Sequence, residues 1–175
     1  MEPIEILAQA LSIGGMAINI VSMQFRKTRG VFAMLLIGAF FFTASYVLLG
    51  SFASAVLNVF SIVRSVVLLI DKRERHPAQL LIMMSVLAVC AGVGLYLDGP
   101  IAFLPIVAQI GMSIGMWLRN SAKLRLAQIA VSSPLWLINN VIVFSIGGIL
   151  CEVFVITSVL ISIARYGWKN LKESD

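Results

Sequence analysis

Gly50-Ser-Phe-Ala-Ser-Ala-Val-Leu-Asn-Val-Phe60 returns 94 positions later as Phe144-Ser-Ile-Gly-Gly-Ile-Leu-Cys-Glu-Val-Phe154. Each stretch sets a serine in a very short turn, then two small residues, one polar residue, and Val-Phe. Farther upstream, a shift of 93 places Met23, Arg26 and Thr28 on Met116, Arg119 and Ser121. One residue inserted between the two regions reconciles the shifts.

Around these stretches lie seven apolar runs: Ile4–Met23, Val31–Leu49, Phe52–Ile70, Gln79–Leu97, Ile101–Leu118, Leu124–Phe144 and Gly147–Tyr166. Each is long enough to cross roughly 30 Å of hydrocarbon as a helix. Runs one to three form one unit, and runs five to seven the other. Run four is the odd helix between them. The expected fold is therefore an all-α membrane protein with seven transmembrane helices. Two parallel three-helix repeats, residues 1–73 and 100–175, flank a linker helix within 74–99. Repeats of this kind place a solute site near mid-membrane between the halves.

The basic residues fix an expected orientation. Arg26, Lys27 and Arg29 follow the first run, and Lys72, Arg73 and Arg75 the third. Arg119, Lys123 and Arg125 follow the fifth, counting its edges, and Arg165, Lys169 and Lys172 the seventh. The other gaps hold none. Because positive loops stay in the cytoplasm, the N-terminus is expected outside and the C-terminus inside.

Hydrophobic residues make up 60% of the chain and charged residues 12%, where a soluble domain carries about 25% charged residues. Lipid must serve as solvent. The net charge of +5 reads as cytoplasmic bias toward anionic headgroups. No basic stretch interleaves with aromatics, so nucleic acid is not an expected partner. The first run begins with Glu2 and Glu5 instead of a basic region, unlike a signal peptide. Cys90 and Cys151 are isolated in apolar runs and read as packed thiols. His76 stands alone in a charged gap and reads as solvated. No metal cluster, cofactor motif or nucleophile–base pair is present, so neither an enzyme nor a cofactor is expected.

Polar residues inside the runs are the functional signal, because they normally face protein or a wet cavity. Ser51, Ser54, Asn58, Ser61 and Ser65 fall on one helical face. Gln128, Ser132, Trp136 and Asn139 make a second stripe, with Asn140 beside it, and Gln9, Ser12, Met16 and Asn19 a third. A weaker stripe is Gln109 and Ser113. Under the 94-residue shift, Asn58 matches Glu152, Ser45 matches Asn139, and Tyr46 matches Asn140. These six are expected to form one layer in the outer half, and Trp136 either stacks on a bound solute or packs in the core. Amides and serines also hold membrane helices together, so packing is the competing reading for each.

Glu152 is the carboxylate lying well inside a run. It must be paired, protonated or in water, whether in a solute site or wetted at the interface. Arg64 is expected to snorkel to the inner headgroups, or else to serve an inner gate or contact solute. Pro105 and Pro134 fall within apolar runs and are expected to kink their helices; Pro134 is a candidate hinge. Met16, Met112 and Met116 read as packing filler.

The stretches Trp117-Leu-Arg-Asn120, Pro134-Leu-Trp-Leu-Ile-Asn-Asn140, Ser145-Ile-Gly-Gly148 and Glu152-Val-Phe154 resemble the YgjV family of bacterial inner-membrane proteins. Gln24-Phe-Arg26, Leu48-Leu-Gly50 and Leu57-Asn58 extend the likeness over most of the chain outside the fourth run. The resemblance implies a multi-pass location in the bacterial inner membrane and no particular activity. More distantly, the three-one-three plan resembles SWEET sugar transporters and PnuC vitamin transporters, which use asparagines and tryptophans in a central pocket. Asn58, Asn139 and Trp136 are the analogous types. The Pro-Gln signature and the prolines of the early SWEET helices are missing, and Glu152 replaces an expected amide. Sugar specificity is therefore not carried over.

Together these features lead to an expected transporter of a small polar solute. Asn58, Asn139, Asn140, Glu152, Trp136, Tyr46 and Ser45 form its site, and Arg64 and Pro134 serve gating. The alternative is a non-transporting membrane scaffold or regulatory protein. The expected partners are the solute and the lipid bilayer, and the lipid-facing helices also allow a homo-oligomer.

Overall fold

Backbone polar groups find no partner in hydrocarbon, so a chain this apolar must satisfy them within its own helices. A computed structural model describes residues 3–70 and 77–167; Lys72, Arg73, Arg75, His76, Lys169 and Lys172 lie outside them. The helices are α1 (Pro3–Ser22), α2 (Thr28–Leu48), α3 (Phe52–Ile70), α4 (Pro77–Asp98), α5 (Phe103–Trp117), α6 (Ser121–Ala127), α7 (Ser133–Ile142) and α8 (Ile146–Tyr166). A 3-10 turn, Gly99–Ala102, joins α4 to α5, and a π turn, Gln128–Ser132, joins α6 to α7.

Among the described residues, five helical stretches are long and apolar enough to cross a membrane: α1, α2, α3, α8 and the 41-residue stretch Pro77–Trp117. That last stretch is divided at Gly99, whose φ of +64° suits glycine. Its two parts, α4 and α5, pack against each other. The fold is thus all-helical and built for a membrane, as the apolar runs indicate. Large apolar side chains such as Phe40, Leu81 and Val89 are exposed on the outside.

Neighbouring helices close a ring. α1 packs on α2, α2 on α3, α3 on α5, α5 on the α6–π–α7 stretch, α7 on α8, and α8 back on α1. α4 packs on α3 and α5. Asp98 at its end accepts a 3.0 Å hydrogen bond from the backbone N–H of Ala53. That caps the first turn of α3, where a carboxylate also favours the helix dipole.

α2 and α7 end in the same way. Gly50 N–H donates to Val47 O at 3.2 Å, and Ser51 N–H to Tyr46 O at 3.0 Å. In the second case Phe144 N–H donates to Val141 O at 3.3 Å, and Ser145 N–H to Asn140 O at 3.0 Å. This is the Schellman pattern, which needs a left-handed residue after the helix. Gly50 fills that place with φ +73° and Phe144 with φ +53°. For phenylalanine that conformation carries a steric cost.

The stretch Ser121–Ile142 is one residue longer than α2. Its extra length falls where the π turn lies, and a π turn is an α-helix with one added residue. Asn120 starts the stretch by accepting from Lys123 N–H at 3.0 Å, so the helix begins earlier than its apolar run. The prolines also sit differently from the kinks expected of them. Pro105 is in the first turn of α5, where the missing donor costs nothing. Pro134 is the second residue of α7, just past the π turn, whose altered bonding relaxes the proline's usual conflict with the preceding turn.

The end of the ring carrying Arg26, Arg119 and Arg165 is tied by side chains. Arg125 is fully buried there. It donates to Met23 O at 3.0 Å, Phe25 O at 2.8 Å, Ser121 O at 3.0 Å and Ser162 Oγ at 3.0 Å. Instead of edging a solvated loop, it binds α6 to α8 and to the end of α1. Gln24 adds a 2.6 Å bond to Ser158 Oγ, and Tyr166 donates to Gln24 O at 3.1 Å.

Candidate functional site

A polar cavity of about 80 Å³ lies inside the ring, with lining residues from α1, α2, α3, α5, the π turn, α7 and α8. Polar side chains reach it because the lining helices turn polar residues inward and leave Leu, Val and Ile side chains exposed on the outside. At roughly 10–15 Å³ per water by this measure, the space holds several waters or a small polar molecule.

One wall is aromatic. Phe42 and Tyr46 stack with ring centroids 6.0 Å apart, and Tyr46 and Trp136 stack at 5.9 Å. The Tyr46 hydroxyl donates to Asn140 Oδ1 at 2.5 Å, joining α2 to α7 across the ring. Gly148 permits this arrangement, because a Cβ there would run into the Asn140 amide.

A second wall is cationic. Arg64 is buried, at 4% exposure. It donates to Gln109 Oε1 at 2.7 Å, Ser113 Oγ at 3.0 Å and Ser61 Oγ at 3.5 Å. Gln109 is itself fixed, donating to Ser61 Oγ at 2.7 Å and Leu57 O at 3.1 Å. The guanidinium lies over the Phe60 ring at 5.4 Å. All of these partners are neutral, and Arg64 Nε is buried without a hydrogen-bond partner. The snorkelling expected for Arg64 does not occur, because the inward stripe of α3 carries the side chain into protein.

Glu152 forms a third wall. It accepts a hydrogen bond from Ser133, whose Oγ in turn accepts from Gln128 Nε2 at 2.8 Å. The π turn makes that contact: its added residue lets Gln128 reach a partner five positions on. Glu152 Oε2 is buried with no hydrogen-bond partner. Asn19 faces the same space, and its Oδ1 is also unsatisfied.

Of the residues assigned to the site and its gate from the sequence, Tyr46, Asn58, Trp136, Glu152 and Arg64 line the cavity, joined from the polar stripes by Asn19, Ser61, Ser65, Gln109, Gln128 and Ser132. Asn58 donates to Ser54 O at 3.0 Å. Asn139 donates to Ser54 Oγ at 3.1 Å, and Ser45 to Ala8 O at 2.8 Å. These two bonds hold helices together behind the cavity. Asn140 supports Tyr46, and Pro134 stands at the end of the π turn. Met112 lines the cavity, while Met116 and Cys151 are buried in the apolar core. Cys90 is half-buried. The cluster of Arg64, Gln109, Ser61 and Ser113 was visible in the sequence only as two separate stripes and one isolated arginine. Spacing could not show that they meet.

Residues 6–170 match the model of a bacterial inner membrane protein family, Imp-YgjV. Neither a curated protein nor a solved structure matches the chain.

Proposed function

Because the chain belongs to the YgjV family of bacterial inner-membrane proteins, we propose that it moves a small polar solute across that membrane by alternating access. The observation that carries this reading is the cavity, which gathers Arg64, Glu152 and several amides inside an otherwise apolar ring. Desolvating such groups is costly unless they meet partners or water, and here a cation and a carboxylate both keep unsatisfied atoms.

The ring supports a two-unit mechanism. Its contacts recur in order: α1 on α2 and α5 on α6–α7, α2 on α3 and α7 on α8, α3 on α5 and α8 on α1. The Schellman bonds at Gly50 and Phe144 recur at the same 94-residue shift that aligns the sequence. In this reading α1–α3 and α5–α8 are parallel three-helix repeats, α4 is the linker, and the basic end faces the cytoplasm. The units rock about the cavity. Tyr46, Trp136 and Asn140 close its outer end, and the π turn with Pro134 lets the α6–α7 stretch bend. Asn58 and Glu152 contact solute, whereas Asn139 and Ser45 hold the walls in place.

A scaffold or regulatory role draws on a specific observation too. The bonds Asn139–Ser54 and Ser45–Ala8 fasten helices and face no cavity. The two readings separate in a thermal-shift screen of purified protein against sugars, nucleosides, vitamins and amino acids. A ligand bound only by the native state raises the midpoint by mass action. A transporter gives at least one stabilising solute whose effect is lost in Glu152→Gln. Stabilisation by none of the classes supports the scaffold.

A further inference from the structure

We infer that the cavity takes a small zwitterion, its carboxylate on Arg64 and its ammonium group on Glu152, a specificity that rests on the transport reading. Arg64 and Glu152 line the same cavity but do not satisfy each other. The guanidinium is held by one amide and two serines and lies over Phe60, with its Nε hydrogen unpaired. Glu152 takes one bond, from Ser133, and leaves Oε2 buried and unpaired. A buried charge without a partner is strongly unfavourable.

Charge balance selects among solutes. An anion that pairs with Arg64 is balanced only while Glu152 stays protonated, since an ionised Glu152 sets a second negative group in the same space. A cation that pairs with Glu152 leaves Arg64 uncompensated. A neutral polyol gives each charge only a neutral partner. A zwitterion gives both a counter-charge, and the occupied cavity gains no net charge. Gln109 and the two serines fix the guanidinium, so its remaining donors, Nε–H and the second Nη2–H on the same edge, are pre-oriented for a carboxylate. The rings of Tyr46 and Trp136 also line the cavity, and aromatic rings suit an ammonium or its attached carbons.

Wild-type protein in detergent tests this with alanine, valine and leucine, each beside its counterparts lacking the amine or the carboxylate. At least one amino acid should bind, and removal of either charged end should weaken binding by about tenfold or more, the scale of a lost charged hydrogen bond. In Glu152→Gln that amino acid should fall toward the affinity of its amine-free counterpart. Arg64→Lys, which keeps a charge at the site, should retain weaker binding. A carboxylate that binds wild type as tightly as its amino acid overturns the inference. So does binding of a sugar or nucleoside in the absence of amino-acid binding, an outcome that leaves the transport reading standing. Absence of binding by every class overturns both. The wild-type comparison needs no variant, so a misfolded substitution does not blunt it.

Discussion

Tyr46 and Asn140 are 94 positions apart and joined across the ring by a 2.5 Å hydrogen bond. They are also the positions that coincide when the second half of the sequence is laid over the first. In the two-unit arrangement proposed above, a residue that meets its own counterpart lies near the axis relating the two units. Tyr46 is therefore both a lining residue and a tie between α2 and α7.

Tyr46→Phe keeps the stacked ring but leaves the Asn140 oxygen without its donor. The expected loss of stability is about 1–3 kcal/mol. Gly148→Ala acts on the same bond from the other side, by pressing on the Asn140 amide. Each variant should lower the thermal midpoint, and the double variant should lose less than the two singles combined, because both act through one group. Full additivity would place the effect of Gly148 elsewhere.

Phe144 occupies a left-handed conformation with its side chain 81% exposed. Phe144→Gly should therefore raise stability by about 1 kcal/mol, through relief of backbone strain. Gly50→Ala at the matching turn should lower it by a similar amount. Thermal unfolding of the two variants in one detergent reads both signs.

Replacing Arg125 with leucine leaves Met23 O, Phe25 O and Ser121 O without a charged donor. At roughly 1.5–3 kcal/mol for each such bond, the variant should lose at least about 3 kcal/mol. Arg125→Lys should rescue it poorly, since an ammonium lacks the planar fork that reaches separated acceptors. Lys27, exposed at the start of α2, should tolerate alanine within about 0.5 kcal/mol. Midpoints of the three variants distinguish a buried staple from an exposed basic loop.

The membrane character of the fold was legible in uninterrupted apolar runs, because their length matches hydrocarbon thickness. If the two units are repeats, as proposed, the change of shift from 93 to 94 is the trace that the π turn leaves in the sequence. The side-chain networks were less legible. Arg125 reads as a loop-edge cation until Asn120 is seen to start the helix before it. The meeting of Arg64 with Gln109 depends on α3 packing against α5, which no periodicity specifies. Amides also look alike in sequence whether they face a cavity, as Asn58 does, or fasten a helix behind it, as Asn139 does.

Glu152 is the carboxylate that lines the cavity, so pH dependence of uptake should pass through it. Glu152→Gln keeps the shape and removes the titrating proton. In a variant with measurable uptake, the pH profile should flatten. A profile like that of wild type would exclude Glu152 from a proton-coupled step.

The most direct measurement is uptake into proteoliposomes of the solute that most stabilises the purified protein, with wild type beside Glu152→Gln and Asn58→Ala. The transport reading predicts saturable, protein-dependent uptake in wild type and a marked reduction in Glu152→Gln, with both variants still folded. A solute that binds in the cavity but crosses no faster than through protein-free vesicles would contradict it.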